Sequence, residues 1–557
     1  MTEIWLKVTL ICSWILLASF YFGGLYSQKQ NLRLYLPFKS RIIILGSIGT
    51  IFGWLVIEIG FYALMDHYFT TIWIILSLFT LLVLAPLWLG LQIRQIYTDS
   101  DPSKVLPDYI KNWKHFGPYL IVTTGNFHSL SHPQSPSLSP SLFQPIMSII
   151  WAVNPSHIQD PQKLIEVGSS LKTMDTHKII PNLTHSAHSA HAAHSVNLIH
   201  SDKQFHLYRF DIKLVEYPQG FYYRVSPDFQ QYFVPASRYP RYQEETAKNL
   251  EIVALSDLHA DGNSILQEIE ELKHICPNAD LIISSGDNIS RGSSWTNWGR
   301  FFAQMGDYMA TRPFYTCPGN HDGDSKKKAH HWSTLFPYSF QSNSSSATGG
   351  NFFHSIRHGA VHMMFLDLYN RGLSPRLPDT SQIESLILDL EAHADAKVRI
   401  LVLHNSIYCT GEFGCDPDLE RLLLPIIDRY KMQLVISGHA HLLEIFRRKI
   451  PGSDQETVFL INGGGGGKLD EILLHPKWLP TVPYHWEGRI HRAKLSPFLG
   501  GDSSHPFRND EAVLKYQEFG IISHSWTRIS ITQTEIGIYA YDWQGTMLYE
   551  CKISYLD

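Results

Sequence analysis

From residue 249 onward, short apolar runs alternate with longer amphipathic segments, and this alternation restricts the possible folds more than any other feature of the chain. The runs are IVALS (252–256), LIISS (281–285), PFYTC (313–317), VHMMFL (361–366), ILVL (400–403) and QLVIS (433–437). Helix-like stretches lie between them at 263–275, 381–394 and 418–430, with apolar residues recurring at helical spacing. Strand and helix in alternation specify a layered α/β domain, because each apolar sheet face needs a covering stripe of helix. In open α/β sheets, ligands bind just beyond the carboxyl ends of the strands.

The residues at those ends carry the chemistry. Asp257 and His259 follow the first run, and Gly286-Asp287 follow the second. Gly319-Asn320-His321-Asp322 follow the third, His404 ends ILVL, and Gly438-His439-Ala440-His441 follow QLVIS. Five strand ends therefore deliver carboxylates, imidazoles and an amide to one rim, and the glycines let the backbone turn sharply beside an ion. Each motif alone has a plain reading as a turn, a polar loop or a structural histidine. All five, in this order and each at a strand end, point to a common site.

The ordered set DLH, GDN, GNHD, LH and GHAH resembles the calcineurin-like metallophosphoesterases over about residues 250–470. The resemblance implies an α/β fold, a four-layer α/β/β/α sandwich, with a two-metal centre. It implies that Asp257, His259, Asp287 and His441 hold one metal ion. Asp287, Asn320, His404 and His439 would hold the other, with Asp287 bridging both, and His321 would face the substrate. Mixed imidazole and carboxylate donors suit Mn, Fe, Zn or Ni rather than Ca. Two such ions clamp a phosphoryl group and lower the pKa of a bridging water until it is a hydroxide nucleophile. His321 then serves the leaving alkoxide as general acid, with Asp322 as the partner that orients it. Arg291, four residues past Asp287, has the spacing at which family members place a phosphate-contacting arginine, and its planar fork suits that contact. The alternative at this position is a loop arginine in solvent.

The stretches PFYTCPGNHD, HNSIYCTGEFG and VFLINGGGGGK resemble the acid phosphatase branch. Purple acid phosphatases have a tyrosine in a GDxxY motif and a glycine in place of the first histidine; this chain has Ser290 and His259 at those positions. The HxP pattern also lacks its proline, in His404-Asn405-Ser406. These departures imply a colourless centre without iron–tyrosinate charge transfer, holding manganese or mixed metals. The resulting expectation is a metal-dependent phosphoric ester hydrolase acting on a phosphorylated small molecule or lipid. Two alternatives stay open: a phosphodiesterase for cyclic nucleotides or lipid-linked phosphates, and a non-catalytic membrane receptor or scaffold with the same fold. The complete ligand set argues against the last.

The N-terminal region has a different character. Residues 8–26 and 69–91 carry no charge, and 42–65 carries only Glu58. Each stretch has about the ~20 residues a helix needs to cross ~30 Å of hydrocarbon. Lys29, Arg33, Lys39 and Arg41 lie in the first connecting loop, and Arg94, Lys104, Lys111 and Lys114 follow the third stretch. The positive-inside rule puts both on the cytoplasmic side. The expectation is a membrane anchor of three transmembrane helices over 1–98, the membrane as a partner, and a cytoplasmic catalytic domain. A formal net charge of -5 leaves no basic footprint for nucleic acid. The six cysteines lack CxxC spacing, and free thiols are the reading at Cys409 and Cys415 unless the compartment is oxidising.

Residues 99–248 read as a linker region. It contains a Ser/His/Pro-rich loop at 128–145, a repeat of His185, His188, His191 and His194, and an aromatic stretch at 205–235. The histidine repeat is either a metal-binding run or a polar surface. The aromatic stretch suggests a β-hairpin turning at Pro218-Gln219-Gly220. Residues 249–557 form the metallophosphoesterase domain, closing in a β-meander. An insertion at about 468–515 either caps the metal rim or leaves the surface. Lys326, Lys327 and Lys328 read as a solvated charge run.

Overall fold

The computed structural model describes residue 107 and residues 115–123, 146–154, 156, 164–172, 174–177, 196–201, 205–240, 249–262, 264–323, 330–338, 353–369, 377–411, 415–470 and 516–555. The stretches 8–26, 42–65 and 69–91, the loop at 128–145, the histidine repeat, Lys326–Lys328 and residues 471–515 of the insertion lie outside these. Among the described residues no helix is long and apolar enough to cross a membrane. The longest of these, Trp295–Ala310, has 16 residues and a polar face, short of the ~20 apolar residues a span requires. The expected location, an integral membrane protein with a cytoplasmic catalytic domain, is corrected by this finding.

Among its described residues, the region expected to be mostly linker contains eight strands. These are β1 (His115–Thr123), β2 (Ile146–Val153), β3 (Ile165–Gly168), β4 (Asp175–His177), β5 (Val196–Ser201), β6 (His206–Lys213), β7 (Gly220–Val225) and β8 (Gln231–Pro235). They pair as two four-stranded sheets, in the orders β1-β2-β6-β5 and β4-β3-β7-β8. A hairpin does fall in 205–235, but it is β7–β8, with its turn between Val225 and Gln231. Pro218-Gln219-Gly220 instead carries the chain from one sheet to the other. Periodicity alone does not reveal such a change of sheet, since both sides of the crossing are equally aromatic.

The remaining elements follow the apolar runs. In chain order they are β9 (Leu250–Leu255), α1 (Leu266–Ile275), β10 (Leu281–Ser284), α2 (Trp295–Ala310), β11 (Phe314–Thr316), α3 (His330–Leu335), β12 (His354–His358) and β13 (Val361–Phe365). Next come α4 (Thr380–Ala392), β14 (Val398–Val402), α5 (Pro417–Arg429), β15 (Leu434–Ser437), β16 (Leu443–Lys449) and β17 (Glu456–Asn462). The chain ends with β18 (Gln517–Ile521), β19 (Ser525–Ile531), β20 (Glu535–Asp542) and β21 (Met547–Ser554). One sheet has the order β11-β10-β9-β19-β20-β21 and the other β12-β13-β14-β15-β17-β16-β18. Within them, β9, β10 and β11 are mutually parallel, as are β13, β14, β15 and β17, so their carboxyl ends share an edge.

Local chemistry starts the helices. The side chains of Ser294, Asp379 and Asp416 accept from the backbone N–H of Asn297, Gln382 and Leu419, caps that contribute about 1 kcal/mol each. Asn462 ties the two sheets together: its Nδ2 donates to the Ala254 carbonyl at 2.8 Å, and its Oδ1 accepts from Thr527 at 3.0 Å.

The N-terminal sheets are fastened to α2. Phe302 stacks on Phe116 and Tyr119, with ring centroids 4.9 and 4.3 Å apart. The Tyr223 hydroxyl donates to the Ala310 carbonyl, and that of Tyr232 donates to Asp307 at 3.0 Å. Replacing Phe302 by Ala removes the ring from this junction and should destabilise the protein by about 3–5 kcal/mol. Leu388→Ala, at a site 57% exposed, should stay within about 0.5 kcal/mol. Denaturant unfolding of the two variants checks both.

Candidate metal centre

The loops beyond the parallel strands hold their side chains with unusual backbone. Asp257, His259, Asp287 and His439 have φ of 51°, 43°, 51° and 68°, the left-handed region that costs a non-glycine residue on the order of 1–2 kcal/mol. Such conformations persist only where the surroundings over-determine them. Here the loops bond to one another: Asp257 N donates to the Gly286 carbonyl at 3.0 Å, and His259 N to that of Asp287 at 3.2 Å. The His439 and His321 amides donate to the carboxylates of Asp257 (2.9 Å) and Asp287 (2.7 Å).

Two glycines make the approach possible. A Cβ on Gly319 would lie 2.1 Å from Asp287 Oδ1, and one on Gly438 would lie 2.2 Å from Asp257 Oδ2. Both carboxylates are buried and held by other bonds, so neither can swing aside.

Eight of the residues singled out in the sequence come together. Asp257, Asp287 and His404 offer donor atoms within 4.8 Å of one another, as do Asp257, His259 and His441, and His259, Asp287 and His321. The Asp287 carboxylate lies 3.3 Å from His404 Nε2 and 3.8 Å from His259 Nε2. His404 Nε2 is also 3.0 Å from Asn320 Oδ1. His441 Nε2 lies 3.4 Å from Asp257 Oδ1. The His439 ring stands 5.1 Å from that of His404.

The donor set fits metal ions. His259 Nε2 and Asp257 Oδ1 are buried without a hydrogen-bond partner, an arrangement that a cation between them would satisfy. The outer nitrogens of the histidines are occupied. His404 Nδ1 contacts the Ser285 carbonyl at 2.8 Å, His441 Nδ1 that of Lys468, and His259 Nδ1 the Ser290 hydroxyl at 3.3 Å. These bonds orient the rings so that Nε2 faces the centre, as metal-ligating histidines require.

Electrostatics point the same way. Burial pushes the Asp257 and Asp287 carboxyls up, but the neighbouring imidazoles outweigh it and hold both below the usual range. Burial lowers His259 to about 4. Burial also opposes charge on His404 and His441, yet Asp287 and Asp257 prevail and raise both to about 9. In the metal-free protein these two imidazolium ions supply the positive charge that the buried carboxylates demand.

Asp322 takes another position than expected. Asp322 does not orient His321. Its carboxylate accepts from the Asn288 amide at 2.9 Å and the Gly319 amide at 3.0 Å, pinning the GDN loop to the GNHD loop. Burial, with the charge of Asp287, pushes its carboxyl up to about 7. His321 is exposed, and its Nδ1 meets the Ser290 carbonyl at 3.0 Å instead. Arg291 is exposed and makes no ion pair among the described residues.

Several contacts of the site are not evident from sequence. Ser290 touches both His259 and His321. Tyr369 donates its hydroxyl to Asn405 and lies 3.4 Å from Asn320 Oδ1. The available signal is positional: Asp367-Leu368-Tyr369 ends the VHMMFL run as the other site residues end theirs. Cys409 and Cys415 are free thiols, with Cys415 Sγ 3.4 Å from the Cys409 amide nitrogen.

Residues 250–443 match the protein-family model described as calcineurin-like phosphoesterase. Purple acid phosphatase 7 of Arabidopsis thaliana is 25% identical over 294 residues, covering 49% of this chain and 76% of that protein. Purple acid phosphatase 17 of the same plant is 26% identical over 153 residues, 26% of this chain, and the match spans only 40% of the relative's length. The structure of a purple acid phosphatase from yellow lupin (Lupinus luteus) seeds aligns at 15% identity with a TM-score of 0.51, over 79% of this chain and 74% of that one. Residues 250–443 are thus similar to the calcineurin-like phosphoesterases, within a mixed α/β fold shared with the lupin protein.

Metal ions must displace protons from His404 and His441. Apparent Mn²⁺ affinity should therefore climb with pH up to about 9 and level off above, as these imidazoles lose their protons. Calorimetric titration of metal-free protein at several pH values measures this.

Proposed function

We propose that the protein is a metal-dependent phosphoester hydrolase working through a two-metal centre. Asp257, His259, Asp287 and His441 would hold one ion, and Asp287, Asn320, His404 and His439 would hold the other, with Asp287 shared between them. The observation that carries this reading is the burial of Asp257 and Asp287 among His259, His404 and His441, with Asp257 Oδ1 and His259 Nε2 left unpartnered. Two sheets with shared strand ends, and helices following the strands of each, support the four-layer α/β/β/α reading. When bound, the ions supply Lewis-acid charge for the phosphoryl oxygens and activate water for in-line attack.

The chain's own side chains do the rest. His321 donates Nδ1–H to the Ser290 carbonyl, which fixes the ring at the opening; when Nε2 also carries a proton, the ring gives it to the leaving alkoxide and keeps the Nδ1 bond. Asp322 holds the two loops that carry Asp287 and Asn320, so it acts through position. Arg291 stands exposed on the loop whose Gly292 amide donates to the His321 carbonyl at 2.7 Å, close enough in sequence to meet an incoming phosphate. Ser290 occupies the position of the purple-type tyrosine. A hydroxyl bonded to a histidine leaves no phenolate for charge transfer, which supports a colourless manganese or mixed-metal centre. The substrate is a phosphorylated small molecule or lipid.

The test uses the full chain with Mn²⁺, p-nitrophenyl phosphate and its bis-ester. Turnover of the monoester alone marks a phosphatase, and turnover of the bis-ester alone a phosphodiesterase. Absence of both, with metal bound, rejects hydrolysis. Asp287→Asn should abolish turnover and lower metal content, and activity surviving that change rejects the bridging role. His321→Asn should lower kcat by about 10²–10⁴-fold with metal content unchanged. Gly319→Ala should behave like Asp287→Asn, since the added methyl collides with the Asp287 carboxylate.

A further inference from the structure

A second group of donors lies away from the strand ends. His362 is the second residue of β13 and pairs with Arg399, near the start of parallel strand β14. His404 stands five residues beyond Arg399, about 16 Å further along at ~3.3 Å per residue. His362 therefore sits towards the opposite end of the sheet. Asp389 and His393 lie four residues apart at the end of α4, on one helical face above it.

The three residues offer donor atoms within 4.8 Å of one another. His362 Nε2 is 2.8 Å from Asp389 Oδ2, and the two imidazole rings are 4.4 Å apart. His393 Nδ1 donates to the Asp389 carbonyl at 2.9 Å and lies 3.3 Å from Asp389 Oδ1, which leaves Nε2 as its ligating nitrogen. His362 is fully buried, yet neither of its ring nitrogens has a hydrogen-bond partner, and neither does Asp389 Oδ2. The 2.8 Å approach lacks the alignment of a hydrogen bond. Buried polar atoms are almost always satisfied, so an imidazole whose Nδ1 is unpartnered and whose Nε2 meets only Asp389 needs a further partner.

The neighbouring polar side chains are committed elsewhere. Ser355 donates to Asp389 Oδ1 at 3.0 Å, which orients the carboxylate and leaves Oδ2 towards His362. Arg357 is turned aside, bound to both oxygens of Asp395 at 3.1 and 2.9 Å.

We propose that His362, Asp389 and His393 bind a divalent transition-metal ion, zinc in its chemistry, separate from the strand-end centre. Two imidazole nitrogens and one carboxylate oxygen are zinc donors, and three protein ligands leave a fourth position for water. The ion staples α4 to β13. Its influence reaches further, because Gln382 of α4 exchanges hydrogen bonds with the Asp367 backbone at 3.0 and 2.8 Å. The Asp367 carboxylate in turn accepts from the Tyr369 amide at 2.7 Å, and Tyr369 reaches Asn320 and Asn405. Holding α4 steadies the segment that backs the strand-end centre.

The experiment measures zinc content and thermal unfolding of the full chain in an Asp287→Asn background, with and without His393→Asn. The chain with His393 should retain one more zinc equivalent after dialysis and gain melting temperature on zinc addition; the paired variant should lose both. The difference within the pair reads this site whatever the strand-end centre retains. His393 is partly exposed, so its loss leaves the fold intact, and a folded His362→Gln variant should repeat the result. Equal zinc content and equal melting shifts across the pair overturn the proposal and leave a metal-free His–Asp–His contact. The outcome is independent of phosphoester turnover.

Discussion

Two carboxylates, Asp257 and Asp287, are withdrawn from water at the point where the parallel strands of both sheets end. Buried charge without compensation is among the most expensive features a protein can carry. The rest of the centre is a response to it. Backbone amides of His321 and His439 donate to the carboxylates, and His404 and His441 are drawn into the charged state beside them. The atoms still unsatisfied, Asp257 Oδ1 and His259 Nε2, face the same space. A carboxylate oxygen and an imidazole nitrogen left unpartnered side by side mark a place for an ion.

Geometry and strain are coupled here. Ligand residues sit in left-handed backbone, and the bonds that hold them there come from the neighbouring loops rather than from their own. Asp322 shows why this matters. Its buried carboxylate joins Asn288 to Gly319 and so sets the distance between the loops carrying Asp287 and Asn320. Asn462 has the matching role a layer deeper, between the two sheets.

Legibility follows how local each signal is. The apolar runs 252–256, 281–285, 361–366 and 433–437 fall on β9, β10, β13 and β15, and the stretches at 381–394 and 418–430 on α4 and α5, because burial on both faces and helical spacing are written within a few residues. Helix α2 escapes such a reading: Gly299 and Gly306 and its aromatic residues break the pattern, and Gly306 is itself non-helical at φ 45°. The N-terminal strands escape it because their polar-rich connections mask them, and because their burial comes from Phe302 and other residues far along the chain. The partner of His321 is hidden for a similar reason. Adjacency in GNHD suggests Asp322, whereas folding presents the Ser290 carbonyl.

The sequence by itself determined which residue types stand at the strand ends, the order in which they occur, and hence the chemistry they can support; strand periodicity and motif spacing are local and survive without a fold. Only the tertiary structure decided that β19 returns to lie beside β9, that α2 carries two further sheets, and that His362 meets Asp389 and His393. Those contacts join residues tens to hundreds of positions apart, and no local preference encodes them. They are selected by which surfaces can be buried together and which charges can be answered there.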